Sequence, residues 1–224
     1  MSVLEAVIFD LDGVVVDSHP AHLKAWKALF CSLDVDVPDD EMSFILEGQK
    51  REDILRHFLG ELTPDQVHRY GAQKDVLLKN SALELKTING LPEFMAQVDA
   101  AGLAIALGSA ASRRRVEDTL HDLDLKRYFR AIVTGDDVAR GKPDPAIFLQ
   151  AACALGVAPE SILVCEDAVA GVEAAKAAGM KCLAIAANGR SQLLAKAGAD
   201  RVVRDFFSVR VDDLRALFVP VDAQ

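Results

Sequence analysis

The chain is short of positive charge. Its 224 residues hold 25 Lys and Arg against 34 Asp and Glu, a net charge of −9. Nucleic-acid binding calls for a basic face, and this composition offers none. Charges of both signs are interspersed, so no acidic tail or basic arm stands out. Cysteine is sparse too. Cys31, Cys153, Cys165 and Cys182 stand alone, with no Cys-x-x-Cys pair and no histidine cluster. That pattern speaks against a zinc or disulfide framework, and the four read as small core residues. No apolar stretch is both long enough and free enough of charge to span a membrane. The start, MSVLEAVIFDLDG, reaches an aspartate before a signal-peptide core could form. The expectation is a cytoplasmic protein in a reducing setting, with neither nucleic acid nor membrane as partner. Internal repeats and low-complexity segments are also missing.

What the chain does have is apolar residues, 51% of the total, enough for a core domain plus a modest insertion. Short runs rich in Val, Ile and Leu recur at Ala6–Phe9, Leu103–Leu107, Ala131–Val133, Ile162–Cys165, Cys182–Ile185 and Val202–Val203. Unalternated runs of this length fit strands buried on both faces. Helical patterns lie between them. One covers Ser112 to about Leu123. Another starts with Asp144 as cap and Pro145 in the first turn, and stops at Gly156. A third runs from Ala168 to Ala178 before Gly179. Strands alternating with helices predict an α/β fold with a doubly wound parallel sheet.

The alternation breaks between Val16 and about Lys86, where no strand pattern appears. Leu23, Trp26, Phe30 and Leu33 mark one amphipathic helix, and Arg51–Leu59 a second. Thr63-Pro64-Asp65-Gln66 opens a third with a capping box. The predicted division is therefore a core of residues 1–15 and 87–224 with an inserted all-α unit of residues 16–86. Trp26 reads as core of that unit.

In open parallel sheets a ligand site lies beyond the carboxyl ends of the strands. Here the first strand ends in Asp10-Leu11-Asp12-Gly13, the second in Gly108-Ser109, the third in Thr134-Gly135-Asp136-Asp137 and the fourth in Glu166-Asp167, with Lys142 a few residues past the third. Clustered carboxylates need a cation, and an all-oxygen ligand set with room for water favours magnesium. Ser109 and the helix start after it offer a hydroxyl and free N–H groups to phosphate oxygens, and Lys142 adds a charge. Asp10 ends its strand directly and is the fixed candidate nucleophile. Asp12, two residues on, can supply the leaving group's proton. Arg51, Lys74 and His22 lie on helices where a polar residue is ordinarily just solvated, and the Arg113-Arg114-Arg115 run reads the same way, though Arg113 lies near the predicted phosphate turn.

Phe9-Asp10-Leu11-Asp12-Gly13-Val14, Ser109, Gly141-Lys142-Pro143-Asp144-Pro145 and Glu166-Asp167-Ala168-Val169-Ala170-Gly171 resemble, in order, the four motifs of the haloacid dehalogenase superfamily. The helical insert is similar to the cap of its beta-phosphoglucomutase-like branch. The resemblance spans nearly the whole chain. It implies that Asp10 is the nucleophile and, with the Asp12 backbone carbonyl and Asp167, ligates Mg2+. Glu166 would be a further ligand or would position a metal-bound water. Asp12 would be general acid and then base, and Ser109 and Lys142 would hold the transferring phosphoryl group of a small phosphorylated metabolite. The dehalogenases proper lack a carboxylate at the place of Asp12, so its presence argues for phosphate chemistry.

Within the branch, His22, Arg51 and Lys74 fall where the mutases carry substrate-binding residues, and Ala110 and Arg113 sit in the matching turn. The mutases follow the motif-two serine with a Ser-Lys-Asn-like stretch that grips a second phosphate. Here Ala111 and Ser112 replace its serine and lysine. The loss favours a phosphatase over a mutase, and a monomer is the expected state.

Overall fold

The structure is a computed structural model and describes residues 3–80, 85–187 and 189–219. The last part of the predicted insert, 81–84, lies outside these. Six strands form one parallel sheet: β1 (Ala6–Phe9), β2 (Ala104–Ser109), β3 (Ala131–Thr134), β4 (Ile162–Glu166), β5 (Lys181–Ile185) and β6 (Arg201–Val203). Their order is β3-β2-β1-β4-β5-β6, so the topology reverses beside β1. Each predicted apolar run is one of these strands.

Side chains alternate across the sheet. Phe9, Leu107, Leu163 and Leu183 face one layer, while Ala6, Ile8, Ala104, Ala106 and Ala184 face the other. On the large-residue face lie α4 (Leu91–Ala100), α5 (Arg113–Asp122) and α9 (Val211–Arg215), where Phe94 stacks on Phe206 at 4.9 Å. On the small-residue face α6 (Ala146–Leu155), α7 (Val169–Ala177) and α8 (Ser191–Lys196) pack. Helices on both faces make the fold doubly wound, as expected.

Between β1 and β2 the chain forms α1 (His19–Ser32), α2 (Arg51–Leu59) and α3 (Pro64–Lys79), with a short 3-10 turn at Glu41–Leu46. They enclose a separate apolar cluster of Trp26, Leu29, Phe30, Val37, Met42, Ile45, Ile54 and Leu55. The α3 capping box is formed: Gln66 N–H donates to Thr63 Oγ1 and Thr63 N–H to Gln66 Oε1. The chain leaves and re-enters the sheet layer on two adjacent segments, where Asp17 N–H donates to Lys86 O at 2.8 Å. No helix among the described residues is long and apolar enough to cross a membrane.

Three details differ from the sequence expectation. Cys31 and Cys153 are exposed; only Cys165 and Cys182 are core residues. Both exposed thiols sit on the solvent side of amphipathic helices, a facing that apolar neighbours alone do not reveal. Helix α6 begins at Ala146 with Pro145 at its cap position, one residue later than predicted, yet the Asp144 side chain still serves its first turn by accepting from Ala146 N–H. Helix α4 was not anticipated, although Gly90, Pro92 and Gly102 bracket it with ordinary start and stop residues.

Candidate active site

The carboxyl ends of β1, β2 and β4 meet at one cavity of about 80 Å³, roofed by α1, α2 and α3. Asp10 follows β1, and its N–H donates to Cys165 O of β4, so the sheet ladder fixes its backbone. Lys142 Nζ donates to Asp10 Oδ1 at 2.6 Å and also to Glu166 Oε1. Glu166 is fully buried at the end of β4, and its Oε2 accepts from the N–H groups of Asp167 and Ala168. Gly171 makes room for it: a Cβ there would lie 1.9 Å from the Glu166 carboxyl carbon. Gly13, at φ +73°, lets the chain turn beneath Asp167, and a Cβ would stand 2.2 Å from that carboxylate.

Oxygens of Asp10, Glu166 and Asp167 all lie within 4.8 Å of one another. That matches a hard cation whose opposite ligands sit about 4 Å apart. These three buried carboxylates face one lysine, and His19 Nε2 lies 3.0 Å from Asp167 Oδ2. Burial, with the charges of Glu166 and Asp12, raises Asp10 to about 7 despite Lys142. Burial raises Asp167 as well, against the pull of His19. Burial opposes a charge on Lys142, but Asp10 and Glu166 override it and keep it a cation. The negative charge left over fits a divalent ion with oxygen ligands. The Asp12 side chain is not in this cluster.

Ser109 is buried at the end of β2, where its Oγ accepts from Ala111 N–H at 3.2 Å. Ser109 and Ala110 line the cavity, whereas Lys142 and Glu166 stand behind Asp10. Asp10, Ser109, Lys142, Glu166 and Asp167 are thus brought together, whereas Asp136 and Asp137 at the end of β3 lie outside the cavity, where they accept from Arg113.

The opposite wall carries His22, Arg51, Lys74 and Trp26. Lys74 Nζ lies 3.1 Å from His22 Nδ1 and 5.4 Å from the centre of the Trp26 ring. Burial first and the Arg115 charge next lower Lys74 to about 7. Burial, then the Lys74 charge, push His22 down to about 3, so its ring is neutral at pH 7. With Nδ1 accepting from Lys74, Nε2 carries the proton and faces Asp12 Oδ1 at 3.2 Å, short of good hydrogen-bond alignment. Arg51 Nη1 donates to Asp75 Oδ2 at 3.1 Å. Trp26 is core, as expected, and one of its edges also lines the cavity.

Arg113 is not in the cavity. It turns toward the end of β3, donating to Asp137 Oδ2 at 2.5 Å with its side chain 42% exposed. The residue of that run which enters is Arg115, 11% exposed. Its Nη1 donates to Asp12 Oδ1 at 3.0 Å and its Nη2 to Asp12 Oδ2, and Ser18 Oγ donates to Oδ1 as well. Burial works to raise Asp12, but Arg115 and then His22 outweigh it and hold the carboxyl well below its usual range. Sequence reasoning missed Arg115, His19 and Asp75. Arg113 stands three before buried Val116 and Arg115 four before buried Thr119, so both flank the buried face of α5. Their ion-pair partners, Asp137 for Arg113 and Asp12 for Arg115, separate the two.

Residues 7–185 match the family described as haloacid dehalogenase-like hydrolase. The phosphorylated carbohydrates phosphatase of Thermotoga maritima is 34% identical over 179 residues, 80% of this chain and 83% of that one. The beta-phosphoglucomutase of Bacillus subtilis is 35% identical over 212 residues, 90% of this chain and 89% of that one. Among solved structures, the beta-phosphoglucomutase of Clostridium difficile aligns with a TM-score of 0.85 at 26% identity, covering 96% of this chain and 97% of that one.

Proposed function

Because the chain belongs to the haloacid dehalogenase-like hydrolase family, we propose that it is a magnesium-dependent phosphatase that hydrolyses a small phosphate monoester, a sugar phosphate by class, through an aspartyl-phosphate on Asp10. Its relatives are phosphatases and phosphomutases, and it is an enzyme of that kind. The observation that carries the reading is Asp10 itself. It ends a buried strand at a cavity, with the Glu166 and Asp167 oxygens within 4.8 Å of its own.

Asp10 and Asp167, with the Asp12 backbone carbonyl, would hold Mg2+, with Glu166 as a further ligand or holding a metal-bound water. Bound there, the ion would draw charge from the phosphoryl oxygens and leave Asp10 free to approach phosphorus. Ser109 Oγ and the turn at Ala110, which line the cavity, would orient those oxygens, and Lys142 holds Asp10 Oδ1 in place. Asp10 attacks, the phosphorus–ester oxygen bond breaks, and Asp12, free of Arg115 and protonated at this stage, donates its proton to the leaving oxygen. Water then attacks the aspartyl-phosphate, gives its proton to Asp12 and releases phosphate, restoring Asp10.

The helical unit, taken as residues 16–86, would act as a cap. A cavity of about 80 Å³ is well below the ~300 Å³ of an ordinary ligand pocket. The cap would swing away to admit substrate and close again to exclude bulk water. We place this activity in a cytoplasmic monomer.

His22, Arg51 and Lys74 on the cavity wall favour a second reading, a phosphosugar mutase. Against it stand Ala111 and Ser112, which offer less grip to a second phosphate. Incubation with Mg2+, beta-glucose 1-phosphate and a trace of the bisphosphate separates the two. Net release of phosphate supports the phosphatase, and isomerisation to glucose 6-phosphate without net release would overturn it.

A further inference from the structure

Arg115 is bound to the very group that must move a proton. Its two guanidinium nitrogens and the Ser18 hydroxyl together occupy both oxygens of Asp12. A carboxylate engaged in this way has little left for a leaving oxygen or an attacking water. Resting on the phosphatase reading, we propose that Arg115 exchanges partners during the cycle, leaving Asp12 for a second anionic group at the far end of the substrate. Release of the proton-transfer residue is thereby tied to recognition of that group.

Three observations lead there. Arg115 is 11% exposed, so a guanidinium that lets go of Asp12 needs another anion. The nearest alternative, Asp75, is already taken: it accepts from Arg51 at 3.1 Å and from Ser112 at 3.4 Å, with Lys74 Nζ 3.9 Å away. And the far wall of the cavity holds Arg51, Lys74 and Arg115 against Asp75 and Asp12. Once Asp12 turns to the reacting oxygen, this wall carries an unmatched positive charge. Arg51, Asp75, Ser112 and Arg115 also border a second cavity of about 640 Å³ on their outer side, so Arg115 stands where a ligand anion would arrive. A planar guanidinium fork suits a phosphate or carboxylate, each with two oxygens to meet it.

The test compares the Mg2+-loaded enzyme on a hexose bisphosphate and on a hexose monophosphate whose distal hydroxyl is free. The wild type should favour the bisphosphate by at least about 100-fold in kcat/KM. Arg115→Met should lose most of that preference from both directions, with a lower kcat/KM on the bisphosphate and a higher kcat on the monophosphate, because Asp12 is no longer held. A purely structural arginine would lower both together. Arg115→Lys should restore part of the preference. Without resort to any Arg115 variant, a crystal structure of Asp10→Asn with the bisphosphate should show Arg115 on the distal anion. Equal wild-type rates on the two substrates, an unchanged ratio in Arg115→Met, or Arg115 still on Asp12 in that complex would each overturn the proposal. If wild type releases phosphate from neither compound nor from any other monoester, it is the phosphatase reading that fails.

Discussion

The two walls of the cavity are built on different principles. The sheet wall places Asp10, Ser109 and Asp167 directly at strand ends, with Glu166 behind Asp10, where backbone hydrogen bonds and buried neighbours fix them. The opposite wall reaches the cavity with long side chains from helix surfaces: Arg51 on α2, Lys74 on α3 and Arg115 on α5. A strand end sets a functional group's position almost completely. A helix surface sets only a direction, and the ion pairs at the tips decide the rest. One wall is suited to chemistry that does not change, the other to recognition that can.

Four experiments break or sharpen this contrast. The largest effect should come from Asp10→Asn, which should lower phosphate release by at least about 10⁴-fold while the thermal midpoint stays or rises, since a buried carboxylate raised to about 7 is removed. Residual turnover near wild type would sink the nucleophile assignment.

Asp12→Ala comes next. Loss of an acid–base group costs about 10²–10⁴-fold, and Mg2+ affinity measured by titration should change little, because the Asp12 side chain lies outside the carboxylate cluster. Equal loss of turnover and metal affinity would argue against a proton-transfer role.

Third is the pH response of Lys74. With its pKa lowered to about 7, it sheds its charge as pH rises through neutrality, so KM for a phosphate ester should rise several-fold between pH 6 and 8. Arg at this position should flatten the rise. Between about 7 and the usual lysine value near 10.5, the unfolded chain binds this proton and the folded chain does not. Stability therefore rises with pH across that window, and Lys74→Met should melt higher than wild type at pH 7 and lose that advantage toward pH 10.

The smallest effect belongs to Arg190→Ala, which removes a contact to Glu47 at 2.7 Å between the β5–α8 loop and the cap. Both side chains are part-exposed, so the cost to stability should be under about 1 kcal/mol. Any larger change should appear in kcat, as faster cap opening.

The sheet wall was legible in the sequence and the helical wall much less so, for the same physical reason. The four central strands announce themselves as short apolar runs because both faces are buried, the edge strands β3 and β6 follow by their apolar composition, and the carboxylates after β1 and β4 are placed by the strand ends. His22, Arg51 and Lys74 were found only through a resemblance, since a polar residue on a helix is ordinarily solvated. Arg113 was favoured over Arg115 because it is nearer in sequence to Ser109, yet its guanidinium pairs with Asp137 while that of Arg115 pairs with Asp12, a choice of partner that helical spacing does not disclose. His19 was missed although it stands three residues before His22, on the same helical face. Helix α4 escaped because its capping glycine and proline were not weighed together.

The hydrogen bond from Asp10 N–H to Cys165 O has one more consequence. It is the last rung of the β1–β4 ladder, and the reacting residue hangs from it. Recoil from forming and cleaving a bond at Asp10 is therefore borne by the central strands, not by a loop. The same rung makes turnover a gauge of the sheet's integrity. On gradual heating, fraying between β1 and β4 would silence the enzyme while its helices still gave a folded spectrum.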